Sequence, residues 1–331
     1  MRIAINGFGR IGRLALRRLA EFPGAEVVAI NDLADPTALA YLFKYDSVHG
    51  RLDAPSRFDG GALVWGDRRI PITAEKDPMA AGWGRLGVDV VVEASGAFRK
   101  RENAARHLEA GAGRVVVTAP LPGADRTVVM GVNDHLINLE TDKILSNASC
   151  TTNCLAPVAS VLVEKYGIVT LAFTTVHAYT SSQSLVDTPM RKLRRGRAAA
   201  LSMIPTSTGA SEAIAEVIPA LKGKVAGTAV RVPVPDGSLT DMVVRFERAP
   251  GGVAEVNAAL RTASEGRLRG ILEVSDDPHV SIDIVGNSHS AVVDTDQTMR
   301  VSADTYKLFA WYDNEWGYSC RVADLVLRLG A

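Results

Sequence analysis

The chain has 331 residues, 47% hydrophobic and 22% charged, enough to bury two cores without help from metals or disulfides. Lys plus Arg equals Asp plus Glu at 37 each, so no global field draws it to nucleic acid or to acidic membranes. No apolar run approaches the ~18 residues of a membrane helix, and the opening MRIAING is a strand rather than a signal peptide. A cytoplasmic protein without membrane or specific nucleic-acid partners is expected.

In chain order, Arg2–Asn6 reads as a strand, and the glycine turn Gly7-Phe8-Gly9-Arg10-Ile11-Gly12 follows it. From Arg10 to Phe22 the apolar residues Ile11, Leu14, Ala15, Leu19 and Phe22 recur at helical spacing. Glu26–Asn31, Val88–Glu93 and Arg114–Thr118 read as further strands, with a helix over Asn103–Ala110 closed by Gly111. Near-continuous apolar strands alternating with helices predict a parallel sheet buried on both faces. After Cys150 the pattern changes to longer alternating runs: Leu171–His177, Thr228–Val232, Thr240–Phe246, Ser281–Val285 and Lys307–Trp311. They predict a second domain with a mixed or antiparallel sheet and helices on one face. Thr180–Ala198, rich in Ser, Pro and Arg, is expected to be a long loop, and Ser319–Leu329 a helix.

The glycine turn lies between strand and helix, and Asp32 comes 20 residues after Gly12, at the end of the second strand. That is the spacing of a dinucleotide fingerprint. Gly7 makes the turn, Gly9 lets the backbone approach a pyrophosphate, and Gly12 allows close helix–sheet packing. A carboxylate at Asp32 suits ribose hydroxyls and repels a 2′-phosphate, so NAD is expected, with NADP the weaker alternative.

Three cysteines, Cys150, Cys154 and Cys320, do not make a disulfide framework, and no His or Cys pair beside them completes a metal site. Cys150 precedes the apolar run Leu155, Val158, Val161, Leu162, so it stands at a helix N-terminus, which favours thiolate over thiol. Taken alone, it reads equally well as a small buried apolar residue, as Cys154 and Cys320 do. Of six histidines, His177 ends a strand at the mouth of the long loop, whereas His107, in a helix, reads as a surface residue.

SNASCTTNCLAP (Ser146–Pro157) closely resembles the catalytic segment of glyceraldehyde-3-phosphate dehydrogenases. So do INGFGRIGR (Ile5–Arg13), IPTSTGA (Ile204–Ala210), RVPVP (Arg231–Pro235) and WYDNEWGYS (Trp311–Ser319), in the family's order and at its spacings. The resemblance implies an α/β fold: an N-terminal Rossmann-type parallel sheet (1–149), then an α+β catalytic domain (150–314) with a mixed or antiparallel sheet. The terminal helix, 315–331, would return to the first domain. It implies that Cys150 is the nucleophile and His177 its acid–base partner, with glyceraldehyde 3-phosphate and inorganic phosphate as substrates. Thr180 and Arg231 would grip the substrate phosphate; Ser149, Thr151, Thr208 and Gly209 the incoming one; Arg195 one or both. Arg10, Ile11 and Asp32 would contact NAD, with Lys76, Ser95, Thr118, Asn314 and Tyr318 nearby. A homotetramer is implied as well.

Some positions depart from the family's usual pattern. Ser182 stands where bacterial members often carry an acid, Ala94-Ser95-Gly96 replaces a commoner Ser-Thr-Gly, and Thr188-Pro189 replaces Leu-Pro. The threonine hydroxyl suits a 2′-phosphate, whereas Leu33 beside Asp32 argues for NAD. An erythrose-4-phosphate dehydrogenase is the nearest alternative within the class. The cations of Arg191–Arg197 read as attraction for phosphorylated substrates and contact with neighbouring subunits, since no stacking aromatics interleave with them.

Overall fold

Short apolar strands pair in parallel through the N-terminal half, as valine-rich runs do when both their faces are covered. The structure is a computed structural model that describes residues 1–330, and the chain divides into two units. The first takes in residues 1–128, 136–148 and the chain from Ser319 onward. Its strands are β1 (Arg2–Asn6), β2 (Glu26–Asn31), β3 (Ser56–Asp59), β4 (Ala62–Trp65), β5 (Arg68–Thr73), β6 (Val90–Glu93), β7 (Arg114–Val117), β8 (Arg126–Thr127) and β9 (Ile144–Ser146). They form one sheet in the order β3-β4-β5-β2-β1-β6-β7-β9-β8. The pairs from β5 to β8 along that order are parallel, whereas β3-β4-β5 is an antiparallel edge that the sequence reading missed. Helices α1 (Arg10–Leu19), α2 (Pro36–Lys44), α3 (Pro78–Ala81) and α4 (Arg101–Glu109) belong to this unit. The chain leaves β1 for β2 on one side, and β6 pairs on the other, so β1 marks a topological switch point where ligands bind in open α/β sheets.

The second unit takes in residues 129–135 and 149–318. Its strands are β10 (Ile168–Ala178), β11 (Ile204–Thr206), β12 (Val225–Val232), β13 (Ser238–Phe246), β14 (Leu272–Ser275), β15 (Ala291–Arg300) and β16 (Thr305–Tyr312), in the order β11-β12-β10-β13-β16-β15-β14. The sheet is mixed: β10–β12 and β14–β15 are parallel and the rest antiparallel. Alternation is strict on β16, where Tyr306, Leu308, Ala310 and Tyr312 are buried and their neighbours half-exposed. The covering layer is α5 (Cys150–Tyr166), α6 (Ala210–Val217) and α7 (Val253–Glu265), and α8 (Trp316–Arg328) ends the chain. Ser281–Val285 is not a strand: Ser281–Ile284 forms a 3-10 turn, with the Val280 amide donating to Asp283 at 2.8 Å. A local side-chain cap outcompetes strand pairing there. The long loop is ordered by its own contacts, including an Arg197–Asp187 ion pair at 2.9 Å and the Ser184–Ala198 bridge.

Candidate active site

Cys150 opens α5, at the positive end of its dipole. Ser149 caps the helix, its hydroxyl accepting from the Thr152 amide at 3.1 Å. Ala148 has φ of 54°, the one non-glycine residue with positive φ among the described residues. A β-carbon in the left-handed region is strained, and such strain clusters beside functional side chains.

Strand β10 brings the partner. Its alternation puts Leu171, Phe173, Thr175 and His177 on the buried face, and His177 Nε2 lies 3.4 Å from Cys150 Sγ. His177 Nδ1 lies 2.7 Å from the Ala178 carbonyl. A carbonyl only accepts, so Nδ1 carries the proton and Nε2 turns its lone pair to the sulfur. Arg231 stands opposite His177 in the β10–β12 register, and its Nη1 donates to the same carbonyl at 2.9 Å. Nη1 is also 2.9 Å from Nδ1; both are donors, so the shared carbonyl is what holds them together.

Burial pushes the His177 pKa down to about 3, and the charge of Arg231 adds to the effect. Burial also pushes the Cys150 thiol up, against the pull of Arg231 and of the Thr151 amide. Desolvation therefore works against the helix dipole and the Arg231 charge at this sulfur, and it favours the neutral form of each partner. Cys150 as a residue is only partly buried, unlike the other two cysteines. Cys154 and Cys320 are buried, and burial pushes each thiol up to about 12. They are inert core residues.

The Tyr312 hydroxyl lies 3.0 Å from Thr151 Oγ1 and 2.7 Å from Thr175 Oγ1, and its ring meets the His177 imidazole edge-on at 5.9 Å. Among the anion-binding candidates, Arg195 Nε donates to Thr206 Oγ1 at 3.1 Å and its Nη1 reaches Ser182 Oγ at 3.4 Å. Ser182 Oγ is in turn 2.8 Å from Thr180 Oγ1. Arg195 and Arg231 both depress the His177 pKa, so two guanidiniums share the imidazole's surroundings with these hydroxyls. At the start of α6, Thr208 Oγ1 accepts from the Ala210 amide at 3.2 Å, and Gly209 is an exposed N-cap with open space where a β-carbon would sit.

In the first unit a pocket of about 460 Å³ opens at the C-terminal ends of β1, β2 and β6, lined in part by Gly7, Gly9, Asp32, Lys76 and Ser95. Gly7 has φ of 94°, and a β-carbon on it would lie 2.3 Å from the Ser95 nitrogen; one on Gly12 would lie 2.1 Å from the Gly7 carbonyl oxygen. Gly9 differs: nothing lies within 4 Å of its missing β-carbon, so its backbone is open to a ligand. Asp32 accepts from the Phe8 amide at 2.6 Å and the Ala34 amide at 2.9 Å, which fixes its carboxylate at the pocket. Arg10 and Ile11 begin α1, with Arg10 Nη1 on Asp46 at 2.7 Å. Thr118 lies beside β6, its amide and hydroxyl donating to the Glu93 carbonyl at 3.0 and 3.1 Å.

Residues 149–314 match the family model described as "Glyceraldehyde 3-phosphate dehydrogenase, C-terminal domain", and residues 1–101 match "Glyceraldehyde 3-phosphate dehydrogenase, NAD binding domain". The chain is 52% identical to "Glyceraldehyde-3-phosphate dehydrogenase" of Geobacillus stearothermophilus, over 100% of this chain and 98% of that protein. It is 50% identical to "Glyceraldehyde-3-phosphate dehydrogenase 1" of Bacillus subtilis (98% and 97% covered) and 48% identical to the Mycolicibacterium smegmatis enzyme (100% and 98%). The chain belongs to the glyceraldehyde-3-phosphate dehydrogenase family.

Membership makes it an oxidoreductase with NAD as its cofactor. Two residues that the family resemblance points to lie in the second unit. The Asn314 carboxamide oxygen accepts from Ser238 Oγ at 2.5 Å, which orients the group, and Tyr318 is buried. Tyr312 and Thr175 escaped the sequence reading, although alternation in LAFTTVH already sets Thr175 on the face of His177. His107 is not at the surface: it is wholly buried against Glu93 and Trp83. A lone histidine on a charged helix gives no sign of that.

Proposed function

We propose that this protein oxidises and phosphorylates D-glyceraldehyde 3-phosphate to 1,3-bisphosphoglycerate with reduction of NAD, through a thioester on Cys150. The observation that carries the reading is the 3.4 Å approach of His177 Nε2 to Cys150 Sγ, with Nδ1 anchored so that Nε2 can accept. As sulfur bonds to the aldehyde carbon, its proton passes to Nε2, and the first-turn amides of α5 face the developing oxyanion. His177 returns that proton to the oxyanion, which makes the hemithioacetal hydroxyl, and its freed Nε2 takes the hydroxyl proton again as the carbon gives up hydride and the thioester carbonyl forms. NAD, when bound, is the hydride acceptor. Inorganic phosphate attacks the thioester, the C–S bond breaks, and the acyl phosphate leaves Cys150 free.

The two guanidiniums and the hydroxyls of Thr180 and Ser182 suit the substrate's phosphate, and Thr208 and Gly209 at the start of α6 suit the incoming one. In the first unit, the Gly7 turn, the open backbone at Gly9 and the carboxylate of Asp32 fit a dinucleotide without a 2′-phosphate. Three free thiols accord with a cytoplasmic location.

The test is to mix protein, NAD, glyceraldehyde 3-phosphate and phosphate and follow reduced cofactor, repeating with erythrose 4-phosphate and with NADP. Sustained turnover should need phosphate, and Cys150→Ser should lower it by at least about 1000-fold. Turnover that survives Cys150→Ser, or that ignores phosphate, would refute the mechanism.

A further inference from the structure

A buried carboxylate of the first unit lies one layer behind the dinucleotide pocket. The Glu93 carboxylate, at the end of β6, takes four hydrogen bonds. Its Oε1 accepts from the Ser95 amide at 2.8 Å and the Ser95 hydroxyl at 2.5 Å. Its Oε2 accepts from Asn6 Nδ2 at 2.5 Å and lies 3.0 Å from His107 Nε2. A carboxylate has about four lone-pair sites, so this one is saturated.

Trp83 settles which way the imidazole faces. Its indole N–H, which can only donate, points at His107 Nδ1 from 3.0 Å. Nδ1 is therefore the acceptor, and Nε2 carries the hydrogen that reaches Glu93. The network continues from Asn6 to Asn31 at 2.8 Å, and from Asn31 to Thr73 Oγ1 and the Glu75 amide, each at 2.8 Å. Asn6, Asn31, Glu75 and Ser95 all line the pocket, and so does Phe98. The Phe98 ring sits 5.2 Å from the His107 imidazole. Ser95 also touches the missing β-carbon position of Gly7, so any shift of Ser95 reaches the glycine turn.

We propose that His107 is a positioning residue for the cofactor: through Glu93 and Phe98 it holds two walls of the pocket in the shape that NAD requires. The inference rests on the reading of this pocket as the NAD site. Removing the imidazole takes one donor from a saturated buried carboxylate, and Glu93 then turns towards the pocket and carries Asn6 and Ser95 with it. The loss falls on cofactor binding before it falls on the chemistry at Cys150.

The experiment compares His107→Leu, His107→Gln and Trp83→Phe with the parent, by direct titration of NAD and by steady-state kinetics. His107→Leu should raise the NAD dissociation constant and KM about tenfold, with a much smaller change in kcat. Glutamine offers a donor and an acceptor at similar reach, so His107→Gln should recover most of the affinity. Trp83→Phe removes the N–H that fixes the imidazole, together with part of a buried ring, and should give a milder loss of affinity than His107→Leu; it decides the matter if His107→Leu does not fold. Val115→Ala, a cavity in a neighbouring cluster of the first unit, controls for stability alone. NAD affinity equal to the parent's in the deciding variant overturns the proposal, as does an equal loss of affinity in Val115→Ala. Asp32→Ala separates the two readings: if it too leaves NAD affinity unchanged, the pocket assignment itself falls.

Discussion

A sulfur 3.4 Å from a ring nitrogen can share its proton in either direction, and here burial favours the neutral form of each partner. The same physics governs a second buried group. Asp236 lies against Asp313, which accepts from the Gly286 and Trp316 amides at 2.7 and 2.6 Å. Burial first, and then the Asp313 charge, push the Asp236 pKa up to about 9. The folded state therefore binds a proton that the unfolded chain releases near pH 4. A carboxyl with a raised folded pKa gives its full stability below the unfolded value and loses it as pH rises through the folded one. Stability should fall between about pH 4 and about pH 9, by up to about 1.4 kcal/mol per pH unit from this group. Asp236→Asn should flatten that slope in urea melts at pH 5, 7 and 8.5; an unchanged slope would refute the assignment.

Elements are tied at two points that substitution can separate. Tyr312 joins β16 to α5 through Thr151 and to β10 through Thr175. Tyr312→Phe leaves both buried hydroxyls short of a partner and should cost about 1–3 kcal/mol. It should also loosen the aim of His177, seen as slower alkylation of Cys150 by iodoacetamide; equal stability and equal reactivity would deny the tie. The glycine turn divides in the same way. Gly12→Ala drives a β-carbon into the Gly7 carbonyl oxygen and should lower Tm by several degrees. Gly9 has φ of −71° and open space, so Gly9→Ala should keep Tm and weaken NAD binding. Equal Tm losses in the two variants would contradict the division of roles. The same turn shows what a sequence discloses: a spacing of glycines and an acid is local, so it can be read before folding. The pairing of Tyr312 with Thr151 and Thr175 spans more than 130 residues and has no local signal.

For the whole molecule, exposed apolar side chains cluster on one segment. Leu185, Leu193, Leu201 and Met203 are 79%, 83%, 85% and 75% exposed, all in or just after the long loop. A run of such side chains suits an interface between copies of this chain, in keeping with the homotetramer that the family resemblance implies. Sedimentation equilibrium should give four chains per particle, and Leu193→Asp with Met203→Asp should shift it to smaller species. A monomer in the parent would remove the proposal. No helix is long and apolar enough to cross a membrane among the described residues.

Motifs and periodicities alone determined the parallel and mixed sheets, the glycine turn with Asp32, and Cys150 at a helix start. Each depends on neighbours within a turn or two of chain, where sterics and hydrogen bonding act directly. No local pattern placed His177 beside the sulfur, which the family resemblance implied; tertiary structure alone decided that Arg231 shares a carbonyl with His177, that burial favours the neutral thiol, and that His107 is buried. Those outcomes depend on strand register and on how much water the fold expels from each group, and no stretch of sequence carries either quantity.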